Sequence, residues 1–434
     1  MASANKVDSV RDSGLVRSVG PLGLAASTIN VVIGAGIFVL PSAMAAAVGR
    51  YAPLAFLGCA FAMAGVVACF AEGGRRIATS GGCYGYIEAA FGARVAFIAG
   101  VLLLFSNVLT AGGIAAALAD SAASLVSAES RAWLRVLLII AVLSLLAAVN
   151  MRGVATATRF VGIATVLKVG ALIVFVIAGA TAVHAENWSS TASFSPNGFG
   201  RAMILGVFAF TGMEISLSVS GEVRQPERTI PLALITVMTF VTVIYIAIQL
   251  VAQGVLGAAL PLSAAPLADT MARISPLLRA LLLATAAVSM IGYLGTDLLG
   301  SPRMVFALAR DRLLPPMFGK LSARTHAPYA AILCYTAVAA LLALTGTFAE
   351  LAVMATLASA AIYVAGCAAV WLLAQRGTTA GPRWLTVAAT IGVTSMLLLI
   401  AVAAWSEIAG LLAVIVLGTL FYWLRMRWLA RQSD

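Results

Sequence analysis

Charged residues, histidines and cysteines are scarce in this chain. Only 10% of its 434 residues are charged, whereas 62% are hydrophobic. So little charge excludes an ordinary soluble domain, whose surface needs charged side chains. The chain has 2 histidines and 5 cysteines, and it lacks the H-E-x-x-H, C-x-x-C, G-x-S-x-G and Walker-type patterns of metal-dependent and nucleophilic enzymes. We therefore expect neither an enzyme nor a bound metal or cofactor.

Long apolar runs are what the sequence has instead. The mean hydropathy is +1.05, and apolar runs of about 20 residues, the length that crosses a bilayer as a helix, recur between short polar clusters. The predicted spans are 21–46, 52–74, 93–127, 133–150, 155–182, 198–222, 231–256, 279–310, 328–346, 349–375, 383–405 and 407–429. The sequence therefore predicts an all-α integral membrane protein with twelve transmembrane helices.

The net charge of +11 comes from basic residues that cluster in alternate loops. This distribution is the positive-inside pattern of membrane proteins, and it argues against a nucleic-acid binder. Arg75, Arg76 and Arg94 fall on the same predicted side as the N-terminus, whereas Arg131 and Arg135 fall on the other side. We therefore expect a multi-pass protein of the cell membrane, meaning the inner or plasma membrane, with both termini in the cytoplasm.

Two of the predicted spans contain residues that interrupt a helix. The first span reads STINVVIGAGIFVLPSA from Ser27 to Ala43, and the sixth reads GVFAFTGMEISLSVSGE. Glycine inside a helix costs about 1 kcal/mol relative to alanine, and unpaired backbone groups cannot face lipid. Interruptions five helices apart are typical of inverted-repeat transporters, whose substrate site lies at the midplane. Close packing of two helices at the glycines is the alternative explanation.

Four ionisable residues fall within predicted spans, where a charge is costly enough to indicate a function. Asp120 lies near the end of the third span, so a solvated position is expected and it is left out of the site. Lys168, Glu214 and Asp297 lie deeper in their spans. The alternatives to a function are snorkelling for Lys168, a structural hydrogen bond for Glu214, and an ion pair with Arg303 for Asp297.

Four blocks of the sequence resemble the amino acid/polyamine/organocation (APC) permeases. INVVIGAGIFVLPSAMA resembles the first-helix signature of that family. SGGCYGYIEAAFG, GEVRQPERTIPLAL and ARDRLLPPMFGKL resemble its first cytoplasmic loop and the loops after helices six and eight, in that order. The resemblance implies a LeuT-like arrangement of two inverted five-helix repeats. The implied organisation is a cytoplasmic tail over 1–20, a first repeat over 21–182, a second repeat over 198–375, helices 11 and 12 over 383–429, and a cytoplasmic tail over 430–434.

The interruptions and the resemblance together assign roles in substrate binding. N–H groups of the segment from Gly34 to Gly36 would hold a substrate carboxylate, since the N-terminal ends of half-helices attract anions. Carbonyls near Ile33 and Phe210 would hold the substrate ammonium, and Phe208 would take the place of the family's aromatic gate. The predicted substrate-binding residues are Ile33, Gly34, Ala35, Gly36, Asn107, Phe208, Phe210, Thr211 and Asp297.

The resemblance also implies roles for the deeper ionisable residues. Lys168 matches a lysine that occupies the region where sodium-coupled relatives hold an ion, and Glu214 matches an acid that couples gating to protonation. These two are the predicted coupling residues. Asp297 and Asn107 would face the variable end of the substrate, where an acceptor would suit an ammonium group.

These observations predict a secondary active amino acid transporter that is independent of sodium, coupled to protons or working by exchange, with cationic or polar amino acids as the favoured substrates. A polyamine or organocation antiporter or exporter is one alternative. A channel is another, although a channel needs a continuous polar lining and these polar residues converge on one point. The expected partners are an amino acid or amine, a proton or counter-substrate, and the lipid bilayer, with the chain acting as a monomer or homodimer.

Overall fold

The structure, a computed structural model, describes residues 19–34, 36–76, 82–124, 126–152, 157–188, 195–217, 220, 223–310, 314–322, 325, 327–376 and 382–433. Within these ranges the fold is all-helical, as predicted, with one isolated parallel bridge between Val19 and Val223. The α-helices are α1 (Pro21–Val32), α2 (Leu40–Val48), α3 (Ala52–Arg76), α4 (Gly82–Phe91), α5 (Ala93–Ala123), α6 (Ala128–Arg152), α7 (Ala157–Ala180), α8 (Pro196–Phe210), α9 (Met213–Ser216), α10 (Pro226–Leu256), α11 (Pro266–Ala272), α12 (Pro276–Arg310), α13 (Tyr329–Thr345), α14 (Phe348–Gln375), α15 (Arg383–Ala401) and α16 (Trp405–Ser433).

Nine helices of the described residues are long and apolar enough to cross a membrane, and three shorter apolar helices accompany them. The shorter ones are α1 (Pro21–Val32), the segment Thr165–Ala180 of α7, and α13 (Tyr329–Thr345). α6 and α16 expose large apolar side chains such as Leu137 and Leu417, which is the surface expected to contact lipid. α3 and α14 are mostly buried and pack at the centre of the bundle. The chain is therefore a multi-pass membrane protein.

The first interruption separates α1 from α2. α1 ends at Val32, and the Gly34 N–H donates to the Val32 carbonyl at 2.8 Å instead of continuing the helical ladder. A short 3₁₀ turn over Gly36–Phe38 follows, and α2 begins at Leu40 with Pro41 in its first turn. Proline suits this position, because the N–H groups of a first turn have no intrahelical partner. Of the predicted site residues, Ala35 lies outside the described residues.

The second interruption separates α8 from α9. α8 ends at Phe210, Thr211 is extended, and Gly212 has a φ of 108°, in the left-handed region that favours glycine. A Cβ at Gly212 would lie 2.7 Å from Cγ1 of Val31 in α1. The glycine therefore serves two purposes: it permits the turn, and it lets the two interrupted helices approach each other.

Tyr245 of α10 holds the two interruptions side by side. Its buried hydroxyl lies 3.0 Å from the Val32 carbonyl oxygen of α1 and 3.2 Å from the Ala209 carbonyl oxygen of α8. Both carbonyls come from the last turn of a half-helix, where the regular helical donors are lost, and the Val32 carbonyl also accepts the Gly34 N–H. One hydroxyl therefore serves both helix ends, and the backbone groups of the two interruptions face the same space.

Candidate functional site

A pocket lies where the two interruptions meet, and its space between atoms is about 450 Å³ when the adjoining open solvent is included. Its wall is completed by α5, by Tyr293 of α12 and by Ser359 of α14. The predicted site residues that line it are Gly34, Gly36, Asn107, Phe208, Thr211 and Glu214. Sequence positions almost two hundred residues apart are thus brought together around one space, which we call the break cavity.

Phe208 closes one side of the break cavity. Its ring meets the ring of Phe348 edge to face, with centroids 5.6 Å apart. A Cβ added to Gly36 would lie 3.3 Å from both Cδ1 and Cε1 of Phe208 and 3.2 Å from Cδ1 of Leu40. These are tight contacts, so a side chain at position 36 would displace the aromatic ring or fill the cavity.

Ile33 and Phe210 lie beside the break cavity without lining it. The side chain of Ile33 is fully buried. The ring of Phe210 packs against two other rings, with its centroid 5.5 Å from that of Tyr245 and 6.5 Å from that of Phe56. Both side chains therefore belong to the apolar packing, and a ligand could use only their backbone carbonyls. The neighbouring Gly34 carbonyl already accepts a hydrogen bond from the Ser289 hydroxyl at 3.2 Å.

Glu214 extends from the first turn of α9 into the buried interior. Its Oε2 accepts the N–H of Gly212 at 3.1 Å and the hydroxyl of Tyr363 at 2.7 Å. The first bond ties the carboxyl to the glycine turn of its own interruption, and the second ties it to α14. A change in the protonation of Glu214 would alter both bonds, so this carboxyl is placed to link α9 with α14.

Lys168 of α7 contacts the last turn of α1. Its Nζ donates to the Asn30 carbonyl oxygen at 2.7 Å, and the nearby Thr165 hydroxyl donates to the Asn30 side-chain Oδ1 at 2.9 Å. The Asn30 carbonyl is available because its usual helical donor, the Gly34 N–H, bonds to Val32 instead. Lys168 is only 4% exposed, so it does not snorkel to an interface.

Asp297 lines a second, larger pocket, which we call the acidic cavity and whose space between atoms is about 930 Å³ when the adjoining open solvent is included. The Ser301 hydroxyl donates to its Oδ1 and the Tyr335 hydroxyl to its Oδ2, each at 2.7 Å. Ser301 in turn accepts a bond from the Asn107 amide at 3.1 Å. Arg303 donates to the backbone carbonyl of Leu299, so the ion pair considered for Asp297 and Arg303 is not formed.

Asn107, Glu214 and Tyr293 line both cavities. The acidic cavity is therefore next to the break cavity, and Asn107 connects them through Ser301 to Asp297. Of the predicted substrate-binding residues, Asp297 lines only the acidic cavity, whereas Gly34 and Gly36 line only the break cavity. A ligand that fills the break cavity could extend towards Asp297.

Several residues of the site did not emerge from the sequence. Thr110 and Ser359 line the break cavity, and Tyr335, Tyr363 and Tyr245 bond to polar groups around it. A tyrosine in the middle of an apolar span is a usable signal, because a buried hydroxyl needs a hydrogen-bond partner. The sequence does not tell which partner each hydroxyl takes.

Asp120, left out of the predicted site, lies at the end of α5 away from both cavities. Its Oδ1 accepts a bond from the Arg135 Nε at 2.7 Å. Arg135 also donates to the Ala343 carbonyl at 2.9 Å and to two other carbonyls near the end of α13. A cation at a helix C-terminus is favourable, so this pair fastens α5 and α6 to α13.

Comparison with known proteins gives one consistent result. The family model for amino acid permeases matches residues 19–426. The methylthioribose transporter of Bacillus subtilis is 27% identical over 74% of this chain and 73% of its own length. The branched-chain amino acid permease BcaP of Bacillus subtilis is 25% identical over 74% of this chain and 73% of its own. The serine/threonine exchanger SteT of the same organism is 28% identical over 84% of this chain and 85% of its own.

Proposed function

The chain belongs to the amino acid permease family, and from this membership we propose that it is a secondary active amino acid transporter that works without sodium, by proton coupling or by exchange. The observation that carries the proposal is the break cavity, which is bordered by backbone groups of two interrupted helices. Two relatives are named for amino acids, and one of them is named as an exchanger, which supports exchange as a mode of transport.

The proposed architecture has twelve transmembrane helices in a LeuT-like arrangement. Its support is the sum of nine long and three shorter apolar helices among the described residues, with interruptions between α1 and α2 and between α8 and α9. The two repeats of the proposal cover 21–182 and 198–375. The proposal puts both termini in the cytoplasm, and its support is the clustering of basic residues in alternate loops.

In the proposed mode of binding, the break cavity holds the groups that all α-amino acids share. The N–H groups at the start of the second half-helix would hold the carboxylate, because a helix N-terminus favours negative charge. Carbonyls at the ends of α1 and α8 hold the ammonium. Phe208 closes over the bound substrate, and Thr211, which lines the cavity next to it, adds a hydroxyl.

Lys168 takes the place of a sodium ion in the proposed coupling mechanism. Its ammonium bonds to the Asn30 carbonyl at 2.7 Å and so joins α7 to the half-helix α1. A cation that coordinated the same carbonyl would lie next to this ammonium, and two like charges in the protein interior repel strongly. Glu214, bonded to Gly212 and Tyr363, is the second group whose protonation would change contacts between moving helices.

The proposal is tested by transport into proteoliposomes that contain the purified chain. A panel of labelled amino acids identifies the substrate, and uptake is measured with sodium, with choline in place of sodium, with a pH gradient, and with an unlabelled amino acid inside. We expect saturable uptake that does not need sodium and that responds to pH or to the internal amino acid. Uptake that does not saturate would indicate a channel, and no uptake of any amino acid would refute the proposal.

A further inference from the structure

A groove between α3 and α10 shares no described lining residue with either cavity of the site. Its space between atoms is about 620 Å³ when the adjoining open space is included. Met63, Val67 and Met238 are buried at its floor, whereas Ala64 and Ile235 are exposed at its rim. The groove, which we call the α3–α10 groove, therefore opens at the surface of the bundle.

The α3–α10 groove opens towards the interior of the bilayer. Both helices belong to membrane spans, and the groove residues of α3 lie between Ala60 and Ala68, around the middle of Ala52–Arg76. The hydroxyls of Thr239 and Thr242 in its wall donate to carbonyls of their own helix at 2.8 Å. Phe61, beside Ala60 in sequence, is 65% exposed. At this depth the bilayer supplies hydrocarbon chains and no water, so the occupant is apolar.

Arginines lie beyond one end of the groove on both helices. Arg75 is in the last turn of α3, seven residues after Ala68, and Arg228 is in the first turn of α10, seven residues before Ile235. Seven residues make about two helical turns and about 10 Å of length. Each arginine therefore lies on the groove face of its helix, and both are exposed.

The basic ends of α3 and α10 lie side by side. A Cβ added to Gly74 would lie 2.9 Å from Cγ2 of Ile230, and the carboxylate of Glu227 is close enough to interact with the Arg75 guanidinium. Glu227 directly precedes Arg228. Arg75 and Arg228 are therefore at the same level of the bundle, next to the end of the groove.

Glu72 orients the arginines of α3 without using all their donors. Its carboxylate is 3% exposed and accepts two hydrogen bonds from Arg75, at 2.7 and 2.8 Å, and one from Arg76 at 2.6 Å. A guanidinium has five N–H donors, so both arginines have donors beyond those that Glu72 takes. With Arg228, three arginines outnumber the carboxylates of Glu72 and Glu227. Basic sites of this kind between membrane spans bind anionic lipid headgroups.

The spacing between the arginines and the groove fits one phospholipid molecule. Ala64, at the middle of the groove, is eleven residues from Arg75, which corresponds to about 17 Å along the helix. Half of the hydrocarbon core of a bilayer is about 15 Å thick. A lipid whose phosphate lies at Arg75 therefore has its acyl chain at the depth of the groove.

We propose that the α3–α10 groove binds an acyl chain of an anionic phospholipid whose phosphate is held by Arg75 and Arg228. Phe210, which lines the groove, is the last residue of α8, and its ring centroid lies 5.5 Å from that of Tyr245. The acyl chain thus packs against the end of an interrupted helix and stabilises it. The groove is separate from both cavities, so this proposal does not depend on the proposed transport function.

The test is lipid binding by the purified chain, measured by native mass spectrometry and by thermal unfolding with dioleoyl phosphatidylglycerol or dioleoyl phosphatidylcholine. We expect the wild type to retain one phosphatidylglycerol and its melting temperature to rise with this lipid, with a smaller effect of the zwitterionic lipid. Ala64→Phe fills the groove from its exposed rim and should abolish both signals. Ala141→Phe, at an exposed position of α6, is the matched control and should behave as the wild type.

A second variant tests the headgroup and covers the case in which Ala64→Phe does not fold. Arg228→Gln leaves the bonds of Glu72 intact and should weaken phosphatidylglycerol by about fivefold, the effect of one basic residue near a membrane surface. Arg152→Gln, in the last turn of α6, is its control and should leave this affinity unchanged.

Three results would overturn the proposal. They are undiminished lipid binding by Ala64→Phe, equal affinity of the wild type for the two lipids, and unchanged phosphatidylglycerol affinity in Arg228→Gln. A dimer of the wild type that Ala64→Phe dissociates, with no lipid retained by either, would overturn it as well and would assign the groove to a second copy of the chain.

Discussion

Replacement of Lys168 by methionine is the most informative single change that the structure suggests. Methionine keeps the length of the side chain but removes the ammonium, and with it the 2.7 Å bond to the Asn30 carbonyl. A hydrogen bond to a charged group contributes about 1.5–3 kcal/mol, and a buried carbonyl left without a donor costs about 1–3 kcal/mol. We therefore expect the contact between α1 and α7 to weaken by at least about 2 kcal/mol.

This loss translates into a shift between conformational states. A change of about 2 kcal/mol alters the ratio of two states by about 30-fold. If the bond exists in one state of the transport cycle and is broken in the other, Lys168→Met should lower uptake by a factor of that order. Substrate binding should survive, because Lys168 lines neither cavity.

The assay compares uptake and binding in the same preparations. Uptake is measured in proteoliposomes with sodium and with choline, and binding is measured as the rise of the melting temperature with substrate. Thr165→Val is the matched control on the same helix, since it removes the 2.9 Å bond to the Asn30 side chain and keeps the ammonium. A strict sodium requirement in the wild type, or undiminished uptake by Lys168→Met, would refute the reasoning.

Three further substitutions test the geometry of the interruptions. Gly36→Val should abolish substrate binding in a folded protein, because even its Cβ would lie 3.3 Å from the ring of Phe208; a titration with the identified substrate measures this. Gly212→Ala should lower the melting temperature by an amount that corresponds to about 1–3 kcal/mol, since φ is 108° and the new Cβ would lie 2.7 Å from Val31. Tyr245→Phe removes the hydroxyl donor of the Ala209 carbonyl, whereas the Val32 carbonyl keeps the Gly34 N–H; thermal unfolding should show a destabilisation of about 1–3 kcal/mol.

One glycine provides a common control for these substitutions. Gly170 of α7 has no heavy atom within 4 Å of the position of an added Cβ, so Gly170→Ala should leave the melting temperature and substrate affinity unchanged or slightly improve stability. Unchanged binding in Gly36→Val would show that the break cavity is not the substrate site. Unchanged melting temperatures in Gly212→Ala and Tyr245→Phe would show that the two interruptions are not held in the described geometry.

The interruptions themselves could be predicted from the sequence, because their causes are local. Gly34, Gly36 and Pro41 carry backbone preferences that act within one turn of helix, and a membrane span makes any break conspicuous. The left-handed φ of Gly212 is a similar local effect. The depth of Lys168 also followed from counting residues along an apolar run, although its role in coupling stays a prediction.

The position of Asp297 could not be predicted in the same way. The sequence places it in the middle of its span, but its direction depends on the rotation and tilt of α12 against α5 and α13. Those angles result from the packing of side chains from distant segments. The partners of Tyr335 and Tyr363 were missed for the same reason, since hydrogen bonds between helices combine positions whose separation in sequence carries no signal.

If the two cavities form one substrate site, their division gives a physical reason why one backbone could serve different substrates. In the proposed mode of binding, backbone groups that border the break cavity hold the carboxylate and the ammonium that every α-amino acid carries. The α12 side chains that line the acidic cavity, such as those of Thr296 and Asp297, belong to neither interrupted helix. Because Asp297 is held by hydroxyls and not by the broken helices, its replacement should change the preferred substrate while the mechanism of transport is retained.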